Sequence, residues 1–296
     1  MKAALLPDRG VIKVGGEHAQ GFLHGLVSSD LLKLTPGTAR FSALLSPQGK
    51  IMADFIVVEA PPEDGGGFFL DVPLTLATNL VDKLNLYKLR SRVIAEDVSE
   101  TLGVVAAWEG NGTTSRGRSY ADPRLPALGL RIIVQPSHAI EVAADFRAVL
   151  VDAKEYEAHR IALGVPQGGL DFRYSDAFPH ETNMDQLGGV DFAKGCYIGQ
   201  EVVSRMEHRG NARTRALPVR FRGAAPQAGI AITAGERQIG TMGSAADGRG
   251  LALVRLDRAA DALSRGEPLL AGSTPISLVK PNWARFAFPG DSEAAE

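Results

Sequence analysis

The chain has 296 residues, of which 45% are hydrophobic and 22% are charged. This composition is that of an ordinary soluble protein, and the length suits about two domains. The 32 lysines and arginines nearly balance the 34 aspartates and glutamates, so the net charge of −2 gives no overall attraction to nucleic acid or to an anionic membrane. No apolar run approaches the roughly 20 residues that span a bilayer.

The single cysteine, Cys196, excludes an internal disulfide and an iron–sulfur cluster held by this chain alone. The six histidines are scattered without the paired spacing of a zinc enzyme, so no protein-bound metal is expected. The N-terminal sequence has neither the apolar stretch of a secretory signal nor the Arg- and Ser-rich pattern of a transit peptide. A cytoplasmic location without membrane contact is therefore expected.

Hydrophobic periodicity in the first half predicts an α+β body in which helices cover antiparallel sheets. The turn at 46–49 separates two apolar runs and predicts a hairpin. The predicted strands cover residues 11–14, 41–45, 51–59, 68–72, 101–108 and 128–135, and the predicted helices cover 17–26, 74–89 and 139–151.

The second half begins with a predicted helix over 156–163 and a second over 200–208. The segment between them is irregular, and long irregular segments in compact domains are usually functional loops. Short β runs parted by Gly and Pro then predict a separate small antiparallel barrel, at 217–222, 229–233, 238–242, 251–256 and 276–279. The predicted domains are a body over 1–215 with its motif loop at 165–200, a barrel over 216–288 and a disordered tail over 289–296.

The octapeptide Lys-Gly-Cys-Tyr-Ile-Gly-Gln-Glu at 194–201 is the most informative segment of the sequence. A neighbouring ammonium and the free N–H groups of a following helix both favour the thiolate, which is the reactive form of cysteine. Flanking glycines would keep the sulfur approachable, whereas the alternative is a small buried hydrophobe. The candidate residues are the thiol of Cys196 and the surrounding Lys194, Gly195, Tyr197, Gly199, Gln200 and Glu201.

Two further places suggest a ligand pocket. Asp54 is the one acid in an apolar strand, where it is either on a solvent face or in contact with a ligand. Glu181 and Asn183 lie in the irregular segment among aromatics that could wall a flat heteroaromatic ligand or could simply be core. These aromatics are Tyr156, Phe172, Tyr174, Phe178, Phe192 and Tyr197.

One stretch of the chain is locally basic. It could meet a polycarboxylate, a phosphate or an acidic partner, or it could be a solvated face. Direct binding of nucleic acid is not expected, because no aromatics for base stacking are interleaved with the charges. Arg205 is the most specific candidate, although it could simply pair with Glu201 one helical turn earlier. The basic residues are Arg205, His208, Arg209, Arg213, Arg215, Arg220 and Arg222.

The segment 178–193 and the residues that follow it, through the octapeptide to Gly210, resemble the YgfZ family of folate-binding proteins, whose hallmark is KGCYxGQE. That family is related to the glycine-cleavage T-protein, an aminomethyltransferase. The resemblance extends to 11–14, 22–23, 48–50 and 160–166 and into the terminal barrel, so it covers nearly the whole chain.

The resemblance implies a ring-like folate-binding body of two related antiparallel-sheet and helix halves, followed by a small β-barrel. It implies tetrahydrofolate or a derivative as cofactor, near Tyr156, Asn183 and Glu181, and Asp54 and Arg205 complete the candidate folate-binding set. It also implies that Cys196 is the functional thiol in assembly or repair of iron–sulfur enzymes, including those that thiolate tRNA. The expected partners are those enzymes or cluster-assembly proteins.

The T-protein differs in carrying two adjacent acids where this chain has Ala53 and Asp54, and in lacking the cysteine motif. These differences favour the iron–sulfur branch. A further departure is Arg9, which stands near the place where some relatives have a tryptophan beside the folate. The alternative function is a folate-dependent aminomethyl or one-carbon transferase in which Asp54 is the base and the cysteine is structural. A third is direct tRNA binding.

Overall fold

The computed structural model describes residues 1–210 and 212–290. Of the predicted disordered tail at 289–296, the part from residue 291 lies outside the described residues. The chain divides into two compact units, the first formed by Met1–Tyr156 with Leu187–Val202 and the second by Glu157–Gln186 with the chain from Val203 onward. The domain boundaries expected from the sequence stay a prediction.

The first unit contains ten strands and three complete helices among the residues described. The strands are β1 (Lys2–Leu6), β2 (Arg9–Gly15), β3 (Ala39–Leu45), β4 (Ile51–Glu59), β5 (Phe68–Pro73), β6 (Ile94–Asp97), β7 (Gly103–Trp108), β8 (Arg118–Ala121), β9 (Leu130–Val134) and β10 (Val149–Leu150). The helices are α1 (Ala19–Leu26), α2 (Ala77–Tyr87) and α3 (Ala139–Asp145).

Two helices continue from one unit into the other, α4 (Ala153–Leu163) and α5 (Gln200–Arg209). The second unit adds the strands β11 (Thr214–Phe221), β12 (Ala231–Ala234), β13 (Arg237–Ala246), β14 (Arg249–Arg255), β15 (Leu269–Ala271) and β16 (Thr274–Leu278), together with the helix α6 (Leu256–Ser264). Within residues 1–210 and 212–290, no helix combines the length and the hydrophobicity needed to cross a bilayer.

The first sheet has the order β3-β4-β5-β2-β6, and its strands are antiparallel. Apolar residues alternate along its strands, so one face presents Ile12, Phe55 and Leu70 to the helices α1 and α2. Those helices bury Leu23 and Leu80 against it. The predicted hairpin around 46–49 is confirmed as β3 and β4.

The second sheet has the order β10-β1-β7-β9-β8 and is covered by α3. All its pairs are antiparallel except β1 with β10, which is parallel. The predicted helix over 139–151 ends early at Asp145, because the chain turns at Arg147 and residues 149–150 extend beside β1 instead. Each half is thus a sheet with its own helices.

The second unit is built on a closed barrel in the order β11-β14-β13-β12-β15-β16. Leu217, Ile232 and Val254 fill its interior, and α6 adds Ala259 and Ala262 to the same core. The predicted barrel is confirmed, although β15 and α6 were not predicted. The predicted fold class, an α+β body of two sheet-and-helix halves with a C-terminal barrel, is confirmed.

Residues 157–186 belong with the barrel. Arg160 of α4 is 1% exposed and donates from Nη1 to Asp171 Oδ2 at 2.8 Å and from Nη2 to the hydroxyl of Ser244 on β13 at 2.9 Å. The other oxygen of Asp171 accepts from the backbone N–H of Ser244 at 2.7 Å. A Cβ on Gly243 would lie 2.4 Å from that carboxylate, so the close approach requires glycine there. This buried ion pair attaches the irregular segment to the barrel wall.

Candidate functional site

Cys196 is exposed and lies in an irregular stretch of the first unit. The helix α5 begins at Gln200, four residues after the thiol. The expectation that the thiol sits at the mouth of a helix is therefore wrong in its detail, because the tight turn through Gly199 comes between the cysteine and the first helical residue. The alternative of a small buried hydrophobe is also wrong, since the side chain is open to solvent.

Lys194 is buried, with 6% of its surface exposed. Its ammonium donates to the backbone carbonyls of His24 and Val27 at 2.6 Å and of Ser29 at 3.1 Å. These carbonyls lie at and just beyond the C-terminal end of α1, where a helix leaves its last acceptors unsatisfied and favours a cation. Lys194 therefore caps the C-terminal end of α1, and the expectation that its ammonium favours the thiolate of Cys196 stays a prediction. Burial lowers the pKa of Lys194 to about 8.

Tyr197 is also held beneath the surface, at 8% exposure. Its ring centroid lies 5.0 Å from the Lys194 ammonium, a distance at which a cation and an aromatic face attract. Burial raises the pKa of Tyr197 to about 12, so the phenol stays neutral at physiological pH. The side chains on either side of Cys196 thus fix the backbone that carries the thiol.

The glycines of the octapeptide have different tasks. Gly199 has a φ of +81°, and a Cβ there would lie 2.5 Å from the carbonyl oxygen of Ser46. Gly49 in the β3–β4 turn has a φ of +80°, and its Cβ would lie 2.9 Å from Val202. The octapeptide therefore packs tightly on the hairpin turn. A Cβ on Gly195 would meet no atom within 4 Å, so there is open space next to the cysteine at this position.

The chain entering the octapeptide is held by Asp191. Its backbone N–H donates to Ser28 O at 3.0 Å, and its side chain accepts from Lys33 Nζ at 2.7 Å. The Ser28 hydroxyl in turn donates to Gly189 O at 2.6 Å. The cysteine segment is thus fixed on both sides, by Asp191 before it and by Gly199 after it. Sequence reasoning missed these hydrogen bonds because the residues that they join are about 160 positions apart.

The remaining motif residues open the helix α5. Gln200 is half-buried, and its backbone N–H donates to Tyr197 O at 3.3 Å. Glu201 is exposed in the first turn of α5, where a negative charge interacts favourably with the helix dipole and stabilises the helix.

A buried polar network occupies the faces of the two sheets that point away from the helices. Asp71 on β5 accepts from Arg9 Nε and from Arg131 Nη1, both at 2.6 Å, and from the Tyr120 hydroxyl at 3.0 Å. Arg131 also donates to the Tyr156 hydroxyl at 3.3 Å. Burial alone raises the pKa of Asp71, but the charges of Arg9 and Arg131 outweigh it and hold that pKa below its usual value.

The network continues through Asp122, which accepts from Arg124 Nη2 at 2.7 Å and from Arg131 Nε at 2.9 Å. Burial opposes ionisation of Asp122, yet the two guanidinium groups hold its pKa well below the usual range. Such desolvated charge networks are found at functional sites and in structural ion-pair clusters alike. Sequence reasoning singled out only Arg9 and Tyr156 among the members of this network. It did not predict their connection, because the members come from five separate segments.

The first unit holds two of the predicted folate-binding residues. Tyr156 is 4% exposed, and its ring meets the edge of Trp108 with 5.3 Å between centroids. Asp54 is 8% exposed on β4 and contributes to the electrostatic field at Arg9. The alternative that placed Asp54 on a solvent face is wrong, because both faces of β4 are covered.

The second unit holds the other three predicted folate-binding residues. Asn183 is fully buried at a φ of +61°, and its amide donates to Ala216 O at 2.7 Å and accepts from Arg215 at 3.3 Å. Glu181 accepts from the Phe178 N–H at 2.8 Å. These contacts shape the loop itself. Arg205 is exposed on α5.

The second unit also brings together His180, Asp185 and Glu207, with potential ligand atoms within 4.8 Å of one another. His180 Nε2 lies 3.1 Å from Glu207 Oε2. Asp185, however, is already bound by both terminal nitrogens of Arg215, at 2.7 and 2.9 Å. A guanidinium at that carboxylate opposes a second cation, so the cluster is better explained as an ion-pair network. The expected absence of a protein-bound metal stays a prediction.

Comparison with known proteins gives a consistent picture. Residues 213–286 match the family described as the CAF17 C-terminal β-barrel domain. Over nearly the whole chain the fold is that of the glycine cleavage system aminomethyltransferase T from Bartonella henselae, with a TM-score of 0.73, 14% identity, and coverage of 97% of this chain and 87% of that one.

Several relatives carry the name iron-sulfur cluster assembly factor IBA57 or its homolog, mitochondrial. The Mycosarcoma maydis protein is 37% identical over 74% of this chain, which spans only 57% of that relative's length. The Pyricularia oryzae protein is 31% identical over 90% of this chain and 75% of its own length. The mouse protein is 30% identical over 84% of this chain and 76% of its own length.

These relatives correct one expectation and sharpen another. The cytoplasmic location expected from the sequence is wrong, because the matching relatives are named as mitochondrial proteins. The YgfZ label itself is not confirmed, since the curated relatives bear the name IBA57. With its barrel, its aminomethyltransferase-like fold and its similarity to the Pyricularia oryzae and mouse proteins over most of both chains, the chain belongs to the IBA57 family.

Proposed function

We propose that the chain takes part in iron–sulfur cluster assembly and that Cys196 lends its thiolate to a cluster shared with a partner protein. The relatives' names support the general role. The observation that carries the finer proposal is the exposure of the only cysteine on a segment fixed by Asp191 and Gly199. A cluster is normally held by about four cysteine thiolates, so the partner must supply the remaining ligands.

The fixed backbone suits this task. A thiol must lose its proton to bind iron, and a segment that is already ordered loses little further conformational entropy when the cluster docks. The open space beside Gly195 lets a second protein approach the sulfur. When the cluster leaves, the thiolate regains a proton from solvent and the chain returns to its starting state.

The proposal is tested in cells that lack this protein by expressing the wild type, Cys196→Ser or the exposed control Lys154→Met. We expect Cys196→Ser to leave the activity of iron–sulfur enzymes unrestored and Lys154→Met to restore it, because only the first removes the ligand. Levels of thiolated tRNA provide a second readout for the enzymes that the sequence resemblance implies. Full restoration by Cys196→Ser at equal protein level would show that the thiol is not required.

A direct measurement complements the cellular one. The purified chain is incubated without oxygen with ferric iron, sulfide and glutathione, whose thiols can complete the ligand set. We expect the visible absorption of an iron–sulfur cluster for wild type and its loss for Cys196→Ser. Both proteins should unfold at the same temperature, since the side chain is exposed and substitution of an exposed residue changes stability by only about 0.5 kcal/mol.

We further propose that the chain binds a reduced folate in its first unit, near Tyr156 and Asp54. The chemistry of the buried network supports this, because Tyr156 and Trp108 offer aromatic surface and Asp71 and Arg131 offer donors and acceptors of the kind a pterin ring needs. Folate would exchange bonds with groups that now bind one another. Asn183 fits less well, since its amide already bonds the chain on both sides.

Titration calorimetry with tetrahydrofolate tests the folate proposal. We expect binding by wild type and by Cys196→Ser, and weaker binding by Tyr156→Phe, which keeps the ring and removes the hydroxyl that accepts from Arg131. Thermal unfolding of each variant controls for loss of structure. No heat of binding with wild type would remove folate from the function and leave the thiol proposal unaffected.

The alternative is folate-dependent one-carbon transfer with Asp54 as the base. The burial of Asp54 favours it, because an acid shielded from water is suited to proton transfer. Turnover of tetrahydrofolate with an aminomethyl donor, abolished by Asp54→Asn and retained by Cys196→Ser, would establish it. Absence of turnover with wild type would exclude it.

A further inference from the structure

A basic groove lies beside the β13–β14 turn of the barrel in the second unit. Its volume is about 750 Å³, and it crosses the ends of β14, β11 and β16. Three arginines line it, Arg220, Arg222 and Arg249, all of them exposed. Asp247 is the one carboxylate in the lining, so the groove keeps an excess of positive charge.

The register of the strands forces two of these charges together. Arg220 on β11 is directly opposite Arg249 on β14 and opposite Ser277 on β16. Side chains at directly opposite positions are about 5 Å apart at Cβ, and like charges there destabilise the pair. Within the described part of the chain, no hydrogen bond or ion pair satisfies the guanidinium groups of Arg220, Arg222 or Arg249. An anion in the groove would relieve this repulsion.

The walls of the groove are preformed. The β13–β14 turn passes through Asp247 at a φ of +52° and Gly248 at +72°. The backbone N–H of Phe221 donates to Gly248 O at 3.0 Å and ties the turn to the end of β11. A preformed site loses less entropy on binding than a flexible one.

The shape of the groove selects among anions. Its volume exceeds what one phosphate needs and accommodates several residues of a peptide. The only aromatic residue in its lining, Phe221, is 8% exposed, so it offers no open face on which a nucleic-acid base could stack. Each guanidinium can hold a carboxylate with two parallel hydrogen bonds, and Ser277 adds a hydroxyl.

We propose that this groove docks an acidic, Asp- and Glu-rich segment of a partner protein. The barrel is closed, so the strands beneath the groove have no free edge, and the partner is recognised through side chains rather than by adding a strand. This binding surface is separate from the proposed thiol and folate sites, and it gives the barrel a role in recognising the partner. Two of its arginines, Arg220 and Arg222, belong to the basic stretch visible in the sequence.

The test uses the full chain and a fluorescent hexaglutamate peptide followed by anisotropy. We expect binding by wild type that weakens as salt is raised, since the contacts are exposed ion pairs. Arg220→Gln combined with Arg249→Gln should weaken it about tenfold, because the two substitutions remove two exposed ion pairs with the peptide. The matched control is Arg90→Gln with Arg147→Gln, which removes the same charge from exposed arginines of the first unit and should bind like wild type.

Three results would overturn the proposal. They are no binding of the peptide by wild type, equal weakening by the control pair, and tighter binding of a single-stranded oligonucleotide with the same dependence on Arg220 and Arg249. The last would assign the groove to nucleic acid. All four substituted arginines are exposed, so the variants should unfold at the wild-type temperature. Cluster formation at Cys196 should be unchanged in every variant, which separates this test from that of the thiol.

Discussion

Lys194 has a structural role at the C-terminal end of α1. Replacing it with methionine leaves three carbonyls at the end of α1 without their donor, while the apolar stem is kept. We expect Lys194→Met to lower the free energy of unfolding by about 3 kcal/mol, because hydrogen bonds to a charged group are the strong ones and buried acceptors are costly to leave unpaired. Urea unfolding measures this, with exposed Lys154→Met as the control.

The same lysine predicts a pH dependence. Its pKa is about 8 in the folded chain against an ordinary 10.5, so between these values the unfolded chain holds a proton that the folded chain has released. Stability therefore rises with pH across that window. The difference in unfolding free energy between wild type and Lys194→Met should widen from pH 8 to 10.5, in the wild type's favour. A constant difference across the window would mean that the folded-state pKa is unshifted.

Among the secondary-structure elements, the contact between the octapeptide and the β3–β4 turn is sensitive to substitution. Gly199→Ala places a Cβ at a left-handed position and 2.5 Å from Ser46 O. We expect a loss of about 2 kcal/mol or more in stability, together with greater reactivity of Cys196 towards a thiol reagent as the segment loosens. Gly195→Ala is the matched control and should change stability by no more than about 0.5 kcal/mol, because nothing is near its Cβ. Equal effects of the two substitutions would contradict the packing described.

The sequence predicts the elements whose patterns are local. The β3–β4 hairpin and five of the six barrel strands follow from alternation and turn residues, and the sequence also predicts α5. It does not predict β10, which has two residues and is a strand only because β1 lies beside it. It also misses β8, whose short run includes Arg118 and an exposed Ala121.

The candidate site was predicted only in part for the same reason. The motif identifies Cys196 as a candidate, and exposure of that side chain agrees with it. The groups that hold the segment, Ser28 and Lys33, are far away in sequence and carry no motif. Likewise, the pairing of Asp71 with Arg9 and Arg131 depends on which strands become neighbours.

For the molecule as a whole, each compact unit combines two stretches that are separate in the sequence. Residues 157–186 precede the octapeptide in sequence, yet they contact the barrel through Asp171 and Asn183. We therefore expect a chain that begins at Val203 to fold poorly, because it lacks the partners of Ser244 and Ala216. A chain that begins at Glu157 keeps them and should show a cooperative thermal transition by circular dichroism. If the shorter chain melted as cooperatively and at the same temperature, these contacts would be dispensable to the barrel.

The position of β1 has a consequence for biosynthesis. This strand leaves the ribosome well before its neighbours in the sheet, which are β7, paired at Trp108, and β10, paired at Val149. At ordinary rates of translation the nascent strand waits on the order of ten seconds for its first partner, with both edges open. Four of its five residues form an apolar stretch, Ala3 to Leu6. The growing polypeptide is therefore expected to need a chaperone on β1 until β7 has been translated.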